Sequence, residues 1–140
     1  MYRYIDLESM ALFRKYYYLL ILLLVLNFSK LGLAQTIQPT DWNGEWIGEG
    51  TLFKIGISVD NNVIKVVQIE SLGFVWTSLD GEVDGSIVRV NVEYAGVKGI
   101  IQAELINPTT AIAFAATCEP GFMVVCALAK DRQAVFKKVE

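Results

Sequence analysis

Residues 87–105 read IVRVNVEYAGVKGIIQAEL. Val88, Val90, Val92 and Tyr94 fall on one side of this stretch, with Arg89, Asn91 and Glu93 on the other. Beyond Ala95-Gly96, Val97, Gly99, Ile101, Ala103 and Leu105 oppose Lys98, Gln102 and Glu104. A period of two places each set on one face of a strand. A dry face backed by a wet one belongs to antiparallel strands that cover a single interior. The stretch therefore predicts a hairpin within an all-β domain.

Similar texture continues on both sides, punctuated by Asp60-Asn61-Asn62, Asp80-Gly81, Asp84-Gly85, Asn107-Pro108 and Glu119-Pro120-Gly121. These residue types tolerate positive φ or preset a reversal. Strands are predicted near 45–58, 63–70, 73–79, 86–94, 97–106, 110–118, 122–129 and 133–139. Eight short strands with tight turns fit an antiparallel up-and-down β-barrel, which leaves no open edge; a two-sheet β-sandwich is the alternative. The first strand favours the barrel because its phase changes. Trp46, Gly48 and Gly50 share one side, then Phe53, Ile55, Ile57 and Val59 take over, which predicts a bulge or bend around Gly48 to Gly50.

Ahead of the barrel, Arg14 and Lys15 precede an apolar run from Tyr16 to Leu26, and Lys30 closes the uncharged segment. The run is shorter than the roughly 20 residues of a membrane span, and Gly32-Leu33-Ala34 has the small-x-small form of a peptidase site. Residues 1–34 are read as a signal peptide forming a signal helix, cleaved after Ala34, with an uncleaved anchor as the alternative and the one membrane contact expected. Residues 35–44 form a short lead-in, and 45–140 the barrel domain. The expected location is periplasmic or secreted.

From position 35 onward there are eight basic and thirteen acidic residues, a net charge of −5. That balance argues against nucleic acid as a partner, for which clustered Lys and Arg are needed. The chain has no histidine, which removes the commonest general base and the usual activator of serine or cysteine nucleophiles. Glu45 with Glu49, and Asp80 with Glu82 and Asp84, read as solvated strand and turn residues, and the second group lacks the spacing of a calcium loop. A non-enzymatic protein with no cofactor and no metal site is expected. Cys118 and Cys126, in an exported chain, read as a disulfide across the Glu119-Pro120-Gly121 turn. A tight two-residue turn at Pro120-Gly121 would leave two buried thiols instead.

Gly44-Glu45-Trp46 resembles the Gly-x-Trp signature of the calycin barrels, the lipocalins and avidins. With the Trp46-Ile47-Gly48 opening, the eight short strands and the basic finish Phe136-Lys137-Lys138, the chain is similar to small lipocalin-like β-barrel domains of exported bacterial proteins. The resemblance implies that Trp46 closes one barrel end beneath a basic residue from the last strands, for which Arg132 is the nearest candidate. The chain is shorter than a lipocalin, lacks the Thr-Asp-Tyr turn motif, and shows no pattern for a helix after the barrel.

An eight-stranded barrel is just wide enough to be filled by its own side chains or to hold one small ligand. Trp46, Phe53, Phe74, Trp76, Tyr94, Phe114 and Phe122 are expected to face the interior as ligand-lining residues. Ile112, Val124 and Leu128 are expected to join them, and Gly99, Ala103 and Ala116 to leave space. The expected function is a binding module for a small apolar or amphipathic ligand. The alternative is a protein-interaction or inhibitor domain over a filled core, with Trp42 and Ser71-Leu72-Gly73-Phe74 exposed toward the partner.

Overall fold

A computed structural model of the chain describes residues 14, 16–20 and 36–140. A 3-10 turn at Pro39–Trp42 leads into β1 (Gly44–Gly48), β2 (Lys54–Asp60), β3 (Val63–Glu70), β4 (Trp76–Ser78), β5 (Gly81–Asp84) and β6 (Ile87–Tyr94). Then follow β7 (Val97–Asn107), β8 (Thr110–Glu119), a short helix α1 (Val124–Ala129) and β9 (Gln133–Lys138). The hairpin read from residues 87–105 is β6–β7, paired antiparallel from Ile87↔Glu104 to Tyr94↔Val97. Both β4 and β5 pair with β6, and the Leu79 amide donates to the Asn91 carbonyl between them at 3.0 Å. They are two halves of one interrupted strand.

Counted that way, eight strands close into an up-and-down ring in which β6 meets β7 and β9 returns to β1. The architecture is all-β and closed, as the alternation implied, and not two stacked sheets. One seam is incomplete. The fourth strand pairs with β3 only at Val63↔Glu82 and Ile64↔Gly81. Farther along, two side chains bridge the gap: Ser78 Oγ donates to the Val66 carbonyl at 2.7 Å, and Gln68 Nε2 donates to the Trp76 carbonyl.

Several sequence expectations are corrected. The segment expected as one bent strand over 45–58 is a hairpin. Thr51 closes it, bonding the Gly48 carbonyl through its amide at 3.0 Å and through its hydroxyl at 2.9 Å, while its Oγ1 accepts from the Phe53 amide. The expected strand over 122–129 is loop and helix. Asp80–Asp84, read as a turn, contains β5 instead. These errors offset one another, so the expected number of strands survives.

The face assignment in β8 is also reversed. Leu105 lies opposite Ala111 and Ala103 opposite Ala113, which turns the alanines inward. Ile112 opposite Glu104 and Phe114 opposite Gln102 share the outer face. Register shifts between Leu105/Asn107 and Ile100/Ile101 leave Ile106 of β7 and Ala116 of β8 without a partner, and apolar residues fall on both sides of β8, so it cannot be phased from its hydrophobicity alone.

Arg14 and Tyr16–Leu20 are helical; the rest of the expected leader, with the cleavage point after Ala34, lies outside the described residues. No helix among the described residues is long and apolar enough to cross a membrane.

Candidate functional site: the barrel cavity

One end of the barrel is shut by the 3-10 turn. The turn is capped where the Gln38 amide donates to Asp41 Oδ2 at 2.7 Å, and it is anchored where Asn43 Oδ1 accepts from the Val59 amide at 2.6 Å. Trp42, at its end, is 2% exposed and Trp46 is 1% exposed; their ring centroids are 5.8 Å apart. Trp46 Nε1 donates to the Trp42 carbonyl at 2.8 Å. Gly44 makes the entry into β1 possible, since its φ of +128° is closed to most L residues and a Cβ there would meet Lys138 Cε at 3.3 Å.

Lys138 stands over the Trp46 ring, with Nζ 5.3 Å from the centroid, and donates to the Asp41 carbonyl. The basic partner of Trp46 is therefore Lys138, not Arg132. β9 pairs with β1 so that Trp46 faces Lys138, which places the last lysine of the strand, rather than the residue preceding it, at the closed end. Trp42, expected as an exposed contact residue, is part of the floor.

Above this floor lies a cavity of about 640 Å³. Its lower wall is Ile64, Val88, Val90, Ala103, Ala111 and Ala113. Its upper wall and mouth include Phe53, Phe74, Trp76, Tyr94 and Phe136, with Arg132 and Gln133 at the start of β9. The aromatics interlock: Phe53 lies 6.2 Å from Trp76 and 6.2 Å from Phe136, and Phe74 packs edge-on to Tyr94 at 5.7 Å. The volume falls within the roughly 300–1,000 Å³ of small-molecule sites, and an apolar lining with a few polar groups is their usual make-up.

The structure thus brings Trp46, Phe53, Phe74, Trp76 and Tyr94 to one cavity. Phe114 borders it, although its register puts it on the outer face beside Gln102. Phe122 does not reach it; it is 85% exposed, because the segment after Cys118 leaves the barrel wall. Val124 and Leu128 are exposed with it. Phe136, Arg132 and the β8 alanines were not expected at the site; the alternation Ala134, Phe136, Lys138 within β9 is the sequence signal that reveals Phe136.

Cys118 and Cys126 are bonded, with Cα atoms 5.4 Å apart. The bond ties α1 to the end of β8 rather than joining two strands, and a disulfide fits an oxidising, exported location. Asp80 lies 3.9 Å from Lys65 Nζ, a surface pair.

Comparison with protein-family models finds no match to the chain, and neither the curated proteins nor the solved structures yield one.

Proposed function

We propose that this protein is an exported, lipocalin-like binding module that holds one small apolar or amphipathic molecule in its barrel by burial, with no covalent step. The observation that carries this reading is the open volume of about 640 Å³ inside a ring whose side chains fill only the floor. Burial of apolar surface provides about 25 cal/mol per Å², so a hydrocarbon guest in such a lumen needs no further chemistry to be retained. Native mass spectrometry of the protein purified from its host, followed by organic extraction, tests the reading. The expected result is a retained apolar molecule that is lost on Trp76→Ala. A ligand-free protein whose Trp76→Ala variant is merely less stable overturns it.

A second reading, a protein-interaction or inhibitor domain, draws on the apolar loops. Leu52 is 70%, Val75 79% and Phe122 85% exposed, and aromatic residues such as Phe122 are enriched in interfaces. Under this reading Val75→Ser and Phe122→Ser abolish capture of a protein partner and leave retention of small molecules unaffected.

A further inference from the structure

The polar atoms around the lumen specify what a guest must carry, an inference that rests on the binding reading above. Trp42 Nε1 and Trp76 Nε1 are buried and have no hydrogen-bond partner among the described residues. An indole N–H only donates, and a buried donor left unpaired loses its hydration without compensation. Among the described residues Arg132 is the one charged side chain on the lining, and it takes no part in the ion pairs found among them. A guanidinium also only donates. The lumen therefore presents donors and a positive charge, and no carboxylate among the described residues borders it.

We infer that the ligand is a single-chain amphiphile with a carboxylate head. Its hydrocarbon tail fills the space against Trp46, Ile64 and Val90, and its head sits at the mouth between Arg132 and the indole N–H of Trp76. The topology suits this placement. Trp76 opens the fourth strand of the ring and Arg132 immediately precedes the eighth, so the two approach the mouth from opposite sides. A carboxylate has acceptor sites for both, and it matches the planar fork of an arginine bidentately. Arg132 is solvent-exposed, so the head keeps part of its hydration. An ammonium head would meet the like charge of Arg132, with the neutral oxygens of Tyr94 and Gln133 as its side-chain acceptors on the described lining.

The test is titration of the intact chain with dodecanoic acid, 1-dodecanol and dodecylamine, three heads on one tail. Dodecanoate is expected to bind about tenfold more tightly than the alcohol, the scale of a charge-assisted contact near a surface, with the amine weakest. Arg132→Gln, at an exposed site, is expected to erase the preference for the acid, weakening dodecanoate about tenfold and the alcohol much less. Trp76→Phe, which keeps an aromatic ring, is expected to weaken dodecanoate several-fold. Equal affinity for the three probes, or a preference that survives Arg132→Gln, overturns the carboxylate assignment and leaves the binding module standing. Failure of all three to bind overturns both.

Discussion

Gly81 lies on the inner face of β5, opposite Ile64. A Cβ there would stand 2.2 Å from the Arg89 carbonyl oxygen and 2.9 Å from methyl groups of Ile64 and Val90. The first of these is backbone and cannot swing away. Gly81→Ala is expected to destabilise the fold by about 2–3 kcal/mol, the scale of overpacking in a tight core. Urea denaturation is the measurement, with a lowered midpoint and an unchanged slope. Trp46 and Lys138 make the complementary case, in which a side chain is demanded rather than forbidden. The Gly-x-Trp triplet suffices to expect a tryptophan at one barrel end, but the cation over it is chosen by the β1–β9 register, which no local pattern encodes.

Helix α1 has six residues, Val124–Ala129, too few to be stable in isolation. Its attachment is the Cys118–Cys126 bond. Replacing both cysteines with serine is expected to cost about 2–3 kcal/mol on the chain-entropy account of a short loop, with amide exchange accelerated across 124–129 and the β6–β7 ladder still protected. An equally protected helix in the double variant would show that packing alone holds it.

The sequence VVCALA is short, apolar and β-branched at its start, so periodicity cannot separate a buried strand from a single helical turn; only the covalent tether decides. The β6–β7 hairpin is the opposite case, since polar and apolar residues alternate over both arms with only Ile87 and Ile100 out of phase, and one register satisfies them. Between these extremes lies β8, whose sequence TAIAFAATCE carries apolar residues on both faces. There the larger Ile112 and Phe114 point outward because β7 dictates the phase. That reversal creates the lumen, with Ala111, Ala113 and Ala115 lining a side that isoleucine and phenylalanine would otherwise have filled. The existence of a barrel was therefore readable from the alternation, whereas its hollowness was not.

The hollow interior is testable as a property of the whole barrel. Ala113 faces Ala103 on one neighbouring strand and Ala134 on the other, a wall of methyl groups bordering the cavity. Ala113→Leu is expected to leave stability unchanged or raise it by about 1 kcal/mol, as cavity-filling substitutions commonly do, while displacing an apolar fluorescent probe from the lumen. A variant that is destabilised and still takes up the probe would mean that the wall has no room to spare. The remaining feature with reach beyond its own neighbourhood is the seam between β3 and β4. The other seams carry backbone ladders, but past Ile64↔Gly81 this one is closed by Ser78 and Gln68 alone. Parting it there breaks two side-chain bonds and no run of main-chain pairing, so amide exchange is expected to be faster along β4 and the facing part of β3 than along β7 and β8.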